Sequence, residues 1–404
     1  MAESSSVAAK PLREPIASST PASPLTVPAV KAGNLILCSA IRGTDKGTVF
    51  GPGDPKEQAR LAFANLKTVL AGAGATLDHV AKVSVHLQDF KYLPGFNEVW
   101  AETFPTNPPA RFLEVVKNAS DDPMGNAYFV LDVIAVQPGE PTRQEIKRPA
   151  GAPPVDPHMV GATAAGGFVF FSSVRGADES SNVYLPSDPA KQVERCYENM
   201  KLYLEAAGGG LEQLVRMVIH FQHLKYRDGF NSLWATLFPT NRPARNAFTS
   251  VNVNEHPEGN GYFVLDAIGV LPGRSTRQEF YVAEGGAMHG AGNVSGTFSN
   301  GMIFCGAMRG GVGNVWFDSD PKVQVERIFI NMERTMAGAG VTMDNVAKVT
   351  VHFEDMRFLD AFNAKWKEIF PTNPPALTEL IQGSANHTPL SNAYFVLDVT
   401  ATAP

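Results

Sequence analysis

Apolar residues recur along the chain in two rhythms, and the same succession of rhythms is written three times. In the first copy Leu35-Ile36-Leu37-Cys38-Ser39 is an apolar run of strand length behind the turn pair Gly33-Asn34. Leu61, Ala62, Leu66 and Val69 then fall at three- and four-residue spacing after Asp54-Pro55. Asp there caps the free amides of a helix and Pro is tolerated in its first turn. Gly72-Ala73-Gly74 ends that helix. The stretch 80–87 alternates towards its end, predicting a half-buried strand with Val83, Val85 and Leu87 on one face and Ser84 and His86 on the other. Phe96, Val99, Trp100 and Phe104 mark a second helix stopped by Pro105. Strands around 110–116 and 127–136 follow, and a hairpin partner for the first strand is expected near 26–32.

The repetition is explicit. Phe104-Pro105-Thr106-Asn107 returns at 238–241 and 370–373, offsets of 134 and 132, and Tyr128-Phe129-Val130-Leu131-Asp132 returns at the same two offsets. The reading is a tail at 1–25 and repeats at 26–148, 149–283 and 284–404. Each repeat is expected to be an α+β unit, a mixed sheet with two helices on one face. The other face carries small and polar residues and needs a partner. The sheets of neighbouring repeats supply one, which predicts a monomeric, single-chain pseudo-trimer around a central barrel-like space with a cleft at each seam.

Composition narrows the function classes. Hydrophobic content of 44% and charged content of 18% over 404 residues describe an ordinary globular chain. A net charge of −6 without a basic run argues against a standing nucleic-acid partner. No apolar stretch approaches the roughly 20 residues that span a bilayer. Three cysteines do not make a disulfide framework, and Phe171 stands in repeat two where repeats one and three have Cys38 and Cys305, so these positions read as core. The N-terminal stretch 1–24, rich in Ser, Ala and Pro without an apolar segment, reads as a disordered tail and not a signal peptide, in a reducing, cytoplasmic setting.

Each repeat resembles the RidA family (reactive intermediate deaminase A, also YjgF or L-PSP) over nearly its whole length. The likeness is carried by Ser39-Ala40-Ile41-Arg42-Gly43 after the first long strand, the helix at Asp54, Lys82-Val83-Ser84-Val85 and the Phe96-Asn97 helix. Its most specific part is Pro109-Ala110-Arg111 followed by Leu131-Asp132-Val133-Ile134-Ala135. The resemblance implies the chorismate-mutase-like trimer, here fused into one chain, and hydrolysis of enamines and imines such as 2-aminoacrylate to a keto acid and ammonia, with no metal or organic cofactor. It implies that Arg111 and Arg245 hold the substrate carboxylate and that Asp132 and Asp266, with Asp398 at the third position, place the attacking water. It further implies that Ser39 and Ser172 line the pocket and that Asn97, Asn231 and Asn363 reach it from a neighbouring unit. A guanidinium fork suits this task because two parallel hydrogen bonds orient a carboxylate and the C=N carbon beside it.

Repeat three departs from the pattern, with Leu377 in place of the arginine and Gly306 in place of the serine, which predicts at most two working clefts. Asp stands where Glu is commoner in the family. Arg42, Arg175 and Arg309 recur in the turn, and His86, His220 and His352 recur on the strand. Arg42, Arg175, His86 and His220 are therefore further candidates for substrate contact. The arginines are open to an anion site or to ion pairs across the seams. The histidines are open to pocket walls, interface hydrogen bonds or a three-histidine zinc arrangement. Loops that differ among the repeats, such as the turn at 118–125, shape part of the pocket. The function classes left are an imine or enamine deaminase acting on a small carboxylate, a pathway-specific lyase or hydrolase of chorismatase-like architecture, and an inert small-metabolite binder.

Overall fold

The computed structural model describes residues 12–19, 25–45, 48–49, 54–116, 127–180, 188–249, 261–274, 277–282, 293–311, 319–382 and 393–404. The turn at 118–125 lies outside them.

Asp54, Asp188 and Asp320 cap the long helices α1 (Pro55–Gly72), α3 (Pro189–Ala206) and α5 (Pro321–Gly338) by accepting from first-turn amides, with Pro at the first helical position. The shorter helices α2 (Leu93–Thr103), α4 (Arg227–Leu237) and α6 (Leu359–Ile369) each end at a Phe before Pro. In repeat one the strand Val80–Leu87 pairs in parallel with Ala110–Val115 across α2 and antiparallel with Phe129–Val136. The hairpin Ala29–Ala32 and Leu35–Cys38 joins the far side of Phe129–Val136. Val83, Val85 and Leu87 pack into a core with Phe63, Phe96 and Trp100 of the helices, as the alternation requires. The same six-stranded mixed sheet recurs in repeats two and three.

The expected tail is only partly a tail. Arg13–Ile16 forms the edge strand of the first sheet against Ala29–Ala32. Its counterparts are Gln144–Glu145 and Gln278–Phe280, which open the second and third sheets upstream of the boundaries drawn at 149 and 284. A buried arginine at each of these strands explains why. Arg143 donates to the carbonyls of Leu77, Val80 and Asn107, and Arg277 to those of Leu214 and Asn241, in the repeat before. Arg13 does the same to Asp344 and Asn373 of repeat three and so closes the ring between the chain's two ends. Short Pro- and Ser-containing sequence hides this strand from a hydropathy reading.

The three inner faces meet round the pseudo-threefold axis, but among the described residues they remain separate sheets and no closed barrel forms. One backbone bond recurs at each seam: Ser173 N–H to Arg111 O at 3.0 Å, Ala307 N–H to Arg245 O at 3.1 Å, and Ala40 N–H to Leu377 O at 3.0 Å. Seam 1/2 thus joins the Arg111 strand of repeat one to the first long strand of repeat two. Seams 2/3 and 3/1 follow in the same sense.

Candidate functional site

The direction of the seams decides which sequence candidates meet. Arg111 faces Ser172 of the next repeat and not Ser39 of its own, since Ser172 Oγ accepts from the Arg111 amide at 2.9 Å and donates to Val160 O at 2.6 Å. Ser172 is thus a latch that fixes the Arg111 backbone, and it also lines the cavity at this seam, as the sequence pattern suggested. The guanidinium is held in turn by Asn97 Oδ1 at 2.8 Å and lies 5.0 Å from the Trp100 ring centre. Asn97 therefore acts within its own repeat, presenting a rigid cation to the neighbour.

Seam 2/3 repeats the clamp without the latch. Arg245 bonds Asn231 at 3.0 Å and stacks 4.7 Å from Trp234. Gly306 stands opposite, where any side chain would run into the Val294 carbonyl. Burial lowers the Arg245 pKa to about 10, and burial together with the Arg245 charge lowers Arg309 to about 10. Arg309 reaches across the seam to the Ala247 carbonyl at 3.4 Å.

Seam 3/1 keeps the latch without the clamp: Ser39 Oγ accepts from the Leu377 amide at 3.0 Å. Leu377 and Gly306, expected to disable one common pocket, belong to two different seams. Leu25 packs with Leu377 in the same core, and Trp366 Nε1 donates to the Leu25 carbonyl at 2.6 Å. Asn363 Oδ1, whose counterparts accept from Arg111 and Arg245, is buried without a hydrogen bond among the described residues. That orphaned acceptor marks the missing guanidinium.

The aspartates lie elsewhere. Arg111 shares the helix side of its sheet with Leu113 and Val115, whereas Asp132 lies on the inner face. Around the axis, Lys82 pairs with Asp266, Arg216 with Asp398 and, at 3.5 Å, with Asp266, and Lys348 with Asp132 at 3.2 Å. Each cation thus grips the aspartate of the following repeat. For Asp132 and Asp266 burial favours the neutral acid, yet the cations outweigh it and hold both below the usual carboxylate range. This ring gives Asp398 a structural role even though repeat three lacks the arginine clamp. The sequence carried a usable signal, because Lys82, Arg216 and Lys348 occupy matching positions on the face of Ser84 and His86.

His86 and His220 also turn to the axis and away from Arg111. Both Nδ1 atoms bond the buried carboxylate of Glu114, at 2.7 and 2.9 Å. Burial opposes ionisation of Glu114, but His220 and His86 hold its carboxyl well below the usual range. His352 contacts Gln382 Nε2 at 3.2 Å, and its ring centre lies 4.0 Å from that of Phe248. No group of three or more metal-ligating side chains forms among the described residues. Burial lowers the His352 pKa from 6.5 to about 3. The unfolded chain therefore takes up a proton near pH 6.5 that the folded chain refuses until about pH 3. Stability from this group is complete above pH 6.5 and falls by about 1.4 kcal/mol per pH unit below it. His352→Gln is expected to reduce the proton uptake on unfolding by about one between pH 6 and 4, read from urea unfolding at several pH values.

At seam 1/2 a cavity of about 100 Å³ opens beside the clamp. Arg111 and Leu113 enter from repeat one, Ser173, Arg175, Asn199 and Tyr203 from repeat two, and Pro153, Pro154, Val155 and Met159 from the connecting segment. The sequence reading did not single out Asn199, Tyr203 or the connector: Asn199 recurs as Asn65 and Asn331, which brace the equivalent turns, whereas Tyr203 and the connector have no counterpart in a repeated polar motif. Arg175, an open candidate, does line this cavity.

A family model described as Endoribonuclease L-PSP matches residues 17–124, 150–259 and 294–384, once in each repeat. The chain belongs to this family. Among L-PSP relatives, the 3-aminoacrylate deaminase RutC of Acinetobacter baylyi is 37% identical over 87 residues, 21% of this chain and 69% of the relative. The mitochondrial protein MMF1 of Saccharomyces cerevisiae is 33% identical over 134 residues, covering 31% of this chain and 90% of the relative. The mitochondrial protein mmf2 of Schizosaccharomyces pombe is 42% identical over 83 residues, 20% of this chain, and the chain spans 65% of its length. The crystal structure of yeast Mmf1 superposes with a TM-score of 0.28 over 31% of this chain and 98% of that one, at 33% identity. The buried free thiols of the L-PSP repeats are core residues, as expected, with Cys38 and Cys196 pushed up to about 12 by burial. No helix among the described residues is long and apolar enough to cross a membrane.

Proposed function

We propose that the chain hydrolyses a small carboxylate-bearing imine or enamine at seam 1/2, with Arg111 as the carboxylate clamp. The supporting observation is the fixed guanidinium: Asn97 and Trp100 hold it, and the Ser172 latch holds the Arg111 backbone, beside a cavity before any ligand arrives. Preorganisation of this kind places the electrophilic carbon without further ordering cost. The RutC relative, whose name states 3-aminoacrylate deamination, supports the same reaction class.

The imine carbon is electrophilic as bound, so the chain must supply a placed water and a route for its proton. Asp156 is the one carboxylate lining the cavity among the described residues, and we assign it the proton relay in place of Asp132 and Asp266. Arg175 adds positive potential at the same cavity. Seam 2/3, with Arg245 but no latch, is the weaker site. A recessed clamp and a net charge of −6 do not favour RNA as substrate, and three buried thiols suit a reducing compartment such as the cytoplasm.

The test is ammonia and keto-acid release from imines generated in situ by an amino-acid oxidase, with and without the protein. Faster release with the protein supports the deaminase. Saturable keto-acid binding without faster release supports instead an inert binder, a reading favoured by the engagement of all three aspartates in axial ion pairs.

A further inference from the structure

The wall of the seam 1/2 cavity carries information about the rest of the substrate. Asn199 is 3% exposed, and its amide is oriented without ambiguity, because Nδ2 donates to the carbonyls of Arg175 at 2.9 Å and Ala177 at 3.0 Å. Its Oδ1 is left buried without a hydrogen bond among the described residues, at a residue that lines the cavity. An acceptor in that condition calls for a donor from whatever fills the space. The surrounding wall is apolar and broad-faced: Leu113, Pro153, Pro154, Met159 and the Tyr203 ring. Tyr203 has no aromatic counterpart, since Val69 and Thr335 hold its position in the other repeats. Gly161 makes room for it, as a side chain there would collide with the Tyr203 hydroxyl. Burial pushes the Tyr203 phenol up to about 12, so this wall stays neutral.

We infer that this cavity selects substrates whose carboxylate is followed by an apolar side chain about the size of one aromatic ring, ending in a hydroxyl or N–H donor for Asn199. Arg111 and Asn199 reach the cavity from the two sides of the seam, and the apolar wall receives the body between them. The inference rests on the carboxylate-imine reading above and adds its side-chain class.

The probes are stable keto-acid products, titrated calorimetrically into the intact chain: pyruvate, phenylpyruvate and 4-hydroxyphenylpyruvate. Phenylpyruvate is expected to bind about tenfold or more tightly than pyruvate, and 4-hydroxyphenylpyruvate about three- to tenfold more tightly again. Met159→Trp, which fills the cavity, is expected to remove the preference for the ring. Asn199→Leu is expected to remove the advantage of the hydroxyl. The wild-type ligand series stands alone if that variant misfolds. Equal binding of pyruvate and phenylpyruvate overturns the inference and leaves the deaminase reading intact. Equal binding of the two aromatic acids shows that water serves Asn199, and overturns the assigned donor. Failure of all three to bind, with no faster ammonia release, overturns both readings.

Discussion

Arg111→Ala is expected to lower kcat/KM for imine hydrolysis by about a hundredfold or more, with an unchanged far-ultraviolet spectrum. A charge-assisted fork to a carboxylate in a partly desolvated cleft accounts for roughly 2–4 kcal/mol of transition-state binding, which is the origin of that factor. The fold tolerates the change because the seam bonds use the Arg111 backbone: its amide goes to Ser172 Oγ and its carbonyl takes the Ser173 amide. Arg245→Ala is expected to cost much less, since Gly306 leaves seam 2/3 without the latch and Arg309 already presses a like charge on that guanidinium. Steady-state ammonia release from both variants measures the difference. Equal losses would place turnover at both seams and make the Ser172 latch dispensable for it.

Most of the fold was legible because it depends on local chemistry that repeats. The Asp-Pro caps, the Val83/Val85/Leu87 alternation and the three copies of Phe-Pro-Thr-Asn each state their structure within a few residues. The edge strand Arg13–Ile16 was not legible, because its stability comes from Arg13 gripping carbonyls of repeat three, more than 300 residues away. The site was half legible. The positions of Arg111 beside a cleft and of Leu377 in its place were readable from the repeats, but the pairing of Arg111 with Ser172, and with Asn97 of its own repeat instead of a neighbour's, depends on the handedness of the ring. A resemblance places residues in strands and leaves open which face meets which neighbour. For that reason Asp132 and Asp266 were grouped with an arginine on the opposite face of the sheet, and His86 and His220 were grouped with a cleft they do not touch. Counting polar positions on the inner face of each strand would have balanced three aspartates against Lys82, Arg216 and Lys348.

That balance yields the second large effect. Lys82→Met is expected to destabilise the chain by about 3–5 kcal/mol, because Asp266 then remains buried with only the longer contact to Arg216. Lys82 is 2% exposed and also donates to the Phe171 carbonyl at 2.9 Å, so the substitution loosens seam 1/2 at its axial end. The double change Lys82→Met/Asp266→Leu is expected to recover most of the loss, since an apolar pair of similar volume carries no desolvation penalty and Arg216 keeps Asp398. Urea unfolding of the single and double variants gives the coupling directly. The double variant also separates the two accounts of the aspartates. If they hold repeats together, it turns over imine at a rate near that of the parent, because the axis and the Arg111 cleft lie on opposite faces of the sheet. If Asp266 instead places the attacking water, the stabilised double variant is dead. A folded, inactive protein would return catalysis to the axis.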